Sequence, residues 1–131
     1  MARRELSQIT GVLWKGYGDR SSTLQVIVVT FSAQMAQRRN GLVLTLRGEL
    51  DVSTSPCLLN AVGAALAGGL PVNLLVDMSG VRFCDSHGLE ALLEVQGRVT
   101  RTGGRMELAH VNGRVRRVLD LSGLSRAFII V

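Results

Sequence analysis

The sequence predicts a small α/β domain: a mixed, mainly parallel β-sheet with helices packed mostly on one side. Three observations predict it. Short β-branched or leucine-rich runs alternate with stretches whose apolar residues recur at helical spacing. Glycines close those helical stretches. At 131 residues, 47% of them hydrophobic, the chain is long enough to bury one real core.

The elements follow in order. Residues 1–23 show no sustained period and end in a Gly/Asp/Ser cluster, so they read as an N-terminal extension, expected to be flexible. LQVIVVTF (24–31) is β-branched and apolar and predicts the first strand. SAQMAQRRN (32–40) is polar and reads as a connection to GLVLTLRGEL (41–50). There Leu42, Leu44 and Leu46 alternate with Val43, Thr45 and Arg47, the period of a strand with one buried face. DVSTSP then predicts a loop, with Ser55 as N-cap and Pro56 at the first helical position. Leu58, Leu59, Val62, Ala65 and Leu66 mark the helix, and Gly68 and Gly69 end it.

PVNLLVDM (71–78) is a short apolar run bounded by turn formers, a strand expected to be buried on both faces and to end before an SGVRFC connection. Leu89, Leu92, Leu93 and Val99, with Val95 or Gln96 between them, mark the inner face of a second helix stopped by Gly103 and Gly104. RMELAHV (105–111) predicts a strand. Asn112 can cap a short helix closed by Gly123, and AFIIV (127–131) is a last strand. The helices between strands call for right-handed crossovers, and the two opening strands suit an antiparallel hairpin on the sheet edge.

The formal charge of +5 invites a nucleic-acid reading, but its distribution argues against one. Residues 1–40 hold a net +4, and the other 91 only +1. A basic face on the folded body is what nucleic acid needs, and aromatics for stacking are only 4% of the chain. No apolar run reaches 18 residues, and the two N-terminal arginines precede no unbroken apolar segment. A cytoplasmic protein with no membrane insertion and no signal peptide is therefore expected. Cys57 and Cys84 form no CxxC and read as small buried hydrophobes in a reducing compartment.

FCDSHGLEALL (83–93) concentrates the candidate chemistry. Asp85, Ser86 and His87 name the parts of a hydrolytic triad, but consecutive residues at a helix start diverge and cannot form one, and no GxSxG is present. Cys84, Asp85, His87 and the distant His110 are ligand types without HxxxH or CxxC spacing, so no metal is expected. Neither GxxxxGK[ST] nor GxGxxG occurs, so no nucleotide cofactor is expected. Two readings stay open on spacing alone. Asp85 or Ser86 is a plain N-cap, or the hydroxyl is a phosphorylation switch at a helix start whose dipole favours an anion, with Gly88 leaving the first turn bare for close approach.

GELD (48–51), LLVDMSGVRFCDS followed by GL (74–89) and VRRVLDLSGL (115–124), in this order, resemble the STAS domain in its bacterial anti-sigma factor antagonist branch. The resemblance covers about residues 24–131. It implies a regulatory binding protein without enzyme activity or cofactor. Such a protein binds an anti-sigma factor that is also a serine kinase, and so releases a sigma factor for transcription; a phosphatase reverses the kinase. The resemblance also places the phosphoacceptor immediately before the motif glycine. That position is His87 here, while Asp85, Ser86, Gly88 and Leu89 match.

Asp51, Ser53 and Thr54 fall where the family brings a second loop beside the switch. The expected partner surface is therefore Asp51, Ser53, Thr54, Asp85, Gly88 and Leu89 around Ser86 and His87, with Leu89, if partly exposed, adding apolar area. An imidazole carries no negative charge, whereas a phosphoryl group adds nearly two. Four outcomes are open at His87: a constitutive antagonist, phosphate moved to Ser86, lost docking, or phospho-histidine. The alternative function is a STAS scaffold or subunit that grips an ATPase partner, as in a lipid transporter. The family usually continues into a further helix where this chain ends, so self-association as a homodimer is also expected of the uncovered sheet.

Overall fold

The structure is a computed structural model that describes residues 7–10 and 29–131. Six strands form one sheet in the spatial order of the chain: β1 (Ser7–Thr10), β2 (Val29–Arg38), β3 (Gly41–Leu50), β4 (Leu74–Cys84), β5 (Met106–Ala109) and β6 (Ile129–Ile130). Strands β1, β2 and β3 pair antiparallel, while β3–β4, β4–β5 and β5–β6 pair parallel. The connecting helices are α1 (Ser55–Ala65), α2 (Ser86–Arg101) and α3 (Gly113–Ser122). This is the mixed, mainly parallel sheet that the helix–strand alternation predicts.

Register explains why the sheet has one covered face. Leu44 of β3 lies beside Val76 of β4 and Leu108 of β5, and all three are fully buried. One residue earlier, Val43, Leu75 and Glu107 line up on the other face and are half-buried, so β4 is not buried on both faces as its apolar run predicts, because the helices cover only one. The first set joins Leu58 and Val62 of α1, Leu92, Val95 and Val99 of α2, and Val115 and Leu119 of α3 in one core. Arg114, Arg116 and Arg117 stay on the solvent side of α3.

Several boundaries differ from the sequence expectation. Strand β2 runs on through the polar 32–38 segment, because Ala33 and Met35 face the core opposite Leu46 and Leu44 while Gln34 faces out. Residues 24–28 of the expected first strand lie outside the described residues. So does the expected N-terminal extension apart from Ser7–Thr10, whose backbone forms an edge strand against β2.

Strand β4 does not stop at Met78 but continues to Cys84, and two register shifts against β3 hide its period. The first falls between the Thr45–Asp77 and Arg47–Gly80 pairs, the second between Gly48–Val81 and Glu49–Phe83. Each adds one residue to β4, so its buried positions step by two through Leu74, Val76 and Met78, then by three to Val81 and Cys84. Finally, α1 begins one residue early. Thr54, not Ser55, occupies its N-cap, and neither side chain caps an amide. Helix α3 falls as expected, with Asn112 Oδ1 accepting from Val115 N–H at 2.9 Å and Gly123 ending the helix at φ +78°. The strands around it are shorter than 105–111 and 127–131: β5 stops before His110, whose φ is +58°, and Ser125–Ala127 form a 3-10 turn ahead of β6.

Candidate functional site

The ends of β3 and β4 lie side by side, and each hands over to a helix. The Asp85 N–H donates to the Leu50 carbonyl at 3.2 Å, which fixes the start of α2 beside the loop that leaves β3. Two helix starts with hydroxyl residues are thereby brought together, and their local chemistry differs.

In the loop before α1, Asp51 organises everything near it. Its Oδ1 accepts from Ser53 N–H at 3.0 Å, Ser53 Oγ at 2.7 Å and Thr54 N–H at 3.2 Å. The Ser53 hydroxyl, first among the causes, holds the Asp51 carboxyl below its usual range; partial burial opposes this, and the Ser53 and Thr54 donors add to it. Thr54 is only 1% exposed, and its Oγ1 donates to the Glu49 carbonyl at 2.8 Å while accepting from Asp51 N–H at 2.9 Å. Ser55, the first residue of α1, donates its Oγ–H to the Asp51 carbonyl at 2.6 Å.

At α2 the cap is Asp85, whose Oδ1 accepts from Gly88 N–H at 3.0 Å. The two open readings of this helix start thus resolve in part: Asp85 takes the capping role, and the Ser86 side chain is left out of it. Ser86 and His87 are exposed on the first turn, where helix geometry points their N–H groups outward. Ser55 Oγ also lies 3.5 Å from the His87 carbonyl, a direct link between the two helix starts.

Three expected partner residues turn inward. Leu89 is 1% exposed and packs in the core, so it offers no apolar area to a partner; the spacing that puts it on the inner face of α2 decides its role. Thr54 is consumed by its loop. Gly88 is buried, and a Cβ there would stand 2.4 Å from the Leu50 carbonyl oxygen and 2.9 Å from Cys84 Sγ. Gly88 thus permits a close approach of β3 to α2 within this chain.

Exposed apolar area comes instead from Val52, beside Asp51, and from Phe83, which pairs with Glu49 across the strand ends. Val52 carried no periodicity signal, and Phe83 was hidden by the second register shift. Beside them the exposed Arg82 and Glu49 form an ion pair at 3.8 Å.

The remaining candidates do not assemble. Among the described residues no group of three metal-ligating side chains occurs. His110 stands at the end of β5 with φ +58°, where its charge, after the Ser79 hydrogen bonds and against partial burial, helps hold the Asp77 carboxyl low. Cys57 and Cys84 are both buried, and neither forms a disulfide. Burial, with the Asp85 charge second, pushes the Cys84 thiol up to about 12, so it stays protonated and unreactive near neutrality. No helix among the described residues is long and apolar enough to cross a membrane.

A family model described as "Mlab, STAS domain" matches residues 33–131. The chain belongs to the STAS domain family. Its relatives include an anti-sigma F factor antagonist of Paenibacillus polymyxa, 32% identical over 91 residues, covering 70% of this chain and 78% of that one. The anti-sigma-F factor antagonist RsfB of Mycobacterium tuberculosis is 27% identical over 99 residues, 76% of this chain and 80% of its own. Among solved structures, an anti-sigma factor antagonist from Mycobacterium paratuberculosis superposes with a TM-score of 0.67 at 28% identity, covering 76% of this STAS chain and 84% of that one.

Proposed function

We propose that this STAS protein is an anti-sigma factor antagonist whose docking surface is the exposed first turn of α2, flanked by the Asp51 loop. The relatives named above support the class of function. The observation that carries the reading is the presentation of Ser86 and His87 outside the fold, next to a loop whose own hydroxyls are already engaged.

The partner is an anti-sigma factor, a kinase of serine hydroxyls in this reading. It covers the first turn of α2, the Ser53 edge of the loop, and the exposed Val52 and Phe83 side chains. Asp85 holds the turn in shape, and Asp51 holds the loop. Gly88, Leu89 and Thr54 act from beneath by fixing how the two helix starts meet.

The phosphoacceptor position holds an imidazole, so the partner's kinase has no hydroxyl to modify there. His87 never gains the nearly two negative charges by which a phosphoryl group changes docking. The protein therefore behaves as a constitutive antagonist. Ser86 is the nearest hydroxyl, but a one-residue step turns it about 100° around the helix axis.

The test pairs intact-mass measurement with a binding titration, using purified anti-sigma kinases and ATP. Tight binding with no added mass is the expected result. Added mass that disappears in Ser86→Ala moves the switch to Ser86 and ends the constitutive reading. His87→Ser should restore phosphorylation and, with it, ATP-dependent release. Absence of binding to every anti-sigma kinase, with capture of an ATPase subunit from a membrane complex instead, replaces the proposal with the scaffold function.

A further inference from the structure

The sheet has a second opening at the other end of β3, ten residues and roughly 30 Å from the Asp51 loop. A groove of about 550 Å³ lies there around the β2–β3 turn and the first residues of β4. Its floor is apolar, formed by the half-buried Val43 and Leu75 on the sheet face opposite the core. The seam beneath is closed by the Leu42 N–H donating to the Asn73 carbonyl at 2.9 Å. Gly41 allows that closure: it sits at φ +145°, and a Cβ would stand 2.4 Å from the Asn73 oxygen.

The rim is charged with one sign in excess. Arg38, Arg39 and Arg105 line the groove against a single acid, Glu107, and Arg105 already holds Glu107 at 2.8 Å. Arg38 has only a 3.4 Å contact with the Gln37 carbonyl, and Arg39 makes no ion pair among the described residues. The Asn73 Oδ1 is occupied by the Arg105 N–H at 3.1 Å, which leaves its amide N–H groups as further donors. An apolar floor beside two uncompensated guanidiniums matches one kind of small molecule: an apolar chain with an anionic head. A neutral hydrophobe would leave the arginines unused, and a cation would be repelled.

From this arrangement we infer that the groove binds a small amphipathic anion. Its chain lies against Val43 and Leu75, and its carboxylate or phosphate head lies between Arg38 and Arg39. The volume is within the range of small-molecule sites, about 300–1,000 Å³. Guanidinium forks suit both head groups, so the chemistry they share defines the ligand class. The inference stands apart from the antagonist reading, since it uses none of the residues at the α2 end of the sheet.

The test titrates the full chain with decanoate and decyl phosphate below their micellar concentrations, by calorimetry and by amide chemical shifts. Decanol and decyltrimethylammonium serve as the neutral and cationic probes. Saturable binding of at least one anion is expected, with shifts confined to residues 38–43 and 73–75, and the tighter of the two identifies the head group. Arg38→Gln with Arg39→Gln should weaken it at least about tenfold, the loss of one charge-assisted hydrogen bond. Leu75→Gln should weaken it too, with the urea midpoint of each variant checked against the parent so that unfolding is not mistaken for lost binding. Equal binding of decanol or the ammonium, undiminished binding in the double arginine variant, shifts centred on Ser86–Gly88, or no saturable binding of either anion overturns the inference.

Discussion

The starts of α1 and α2 lie against each other, each with an aspartate ahead of hydroxyl side chains (three at α1, one at α2), yet they use them oppositely. Before α1, the hydroxyls of Ser53, Thr54 and Ser55 all bond within the loop, to Asp51 or to the Glu49 carbonyl. At α2, Asp85 alone makes the cap, and Ser86 and His87 project from the fold. A hydroxyl tied to a buried backbone group is a structural part. One left exposed at a helix start is available to another protein. The difference separates the residues that shape this surface from those left exposed on it, and each of the following variants tests that separation.

Gly88→Val should have the largest effect. The new side chain must enter a space where even a Cβ meets the Leu50 carbonyl and Cys84 Sγ, so α2 is forced away from β3. Replacing glycine within a helix would ordinarily gain a few tenths of a kcal/mol or more, but overpacking against backbone costs about 1–3 kcal/mol and wins. The urea midpoint should fall by an amount equivalent to about 2–3 kcal/mol, with an unchanged slope. A neutral result would show that the two helix starts are not held together as described.

Thr54→Val comes next. It keeps the shape of the buried side chain but removes the oxygen that joins Asp51 N–H to the Glu49 carbonyl. Two backbone groups lose a partner, and about 1–3 kcal/mol is expected, toward the middle of that range because Asp51 itself is only partly buried. Ser53→Ala in the same loop should cost less, since its hydroxyl is exposed. If the two variants cost the same, Thr54 is not the structural member of the pair.

These contacts also mark where the sequence was legible. The GLVLTLRGEL strand, the α3 caps and the one-sided core follow directly from period and capping residues, because each local signal agrees with its tertiary neighbours. Polar 32–38 was hidden because glutamine and alanine have low strand preference, and pairing to β3 overrides it. The second half of β4 was hidden by two inserted residues, which break the alternation that identifies a strand. At the site, the aspartate and hydroxyl positions were legible from the family pattern. Their burial was not. Whether Thr54 and Gly88 face out or in depends on the approach of β3 to α2, which local spacing does not encode; for Leu89 the helical spacing of α2 already marked the inner face, against the partner role that the family pattern implied.

The pH dependence sharpens the same contrast. Asp51 has its carboxyl held low by the Ser53 hydroxyl and the loop amides. A depressed folded value means that the stabilisation is present above the unfolded value and is lost as pH falls through the folded one. Stability should therefore decline below about pH 4, the ordinary aspartate range. Asp77, held low chiefly by the Ser79 N–H, contributes to the same decline. Asp51→Asn should flatten the acid limb in part, and Asp77→Asn should flatten it further. A limb unchanged in Asp51→Asn would mean that the loop is not organised by that charge.

The smallest expected effect carries the most weight. Ser86→Ala and His87→Ser alter exposed side chains that make no side-chain hydrogen bond among the described residues, so each should shift stability by no more than about 0.5 kcal/mol. Their consequences should appear only in the presence of a partner, as altered affinity or added phosphate. A loss near 1 kcal/mol in Ser86→Ala, typical of a removed N-cap, would mean that Ser86 shares the capping role of Asp85. The two helix starts would then be alike, with their hydroxyls spent on the fold, and the exposed imidazole of His87 would be the sole polar side chain that the first turn of α2 offers to another protein.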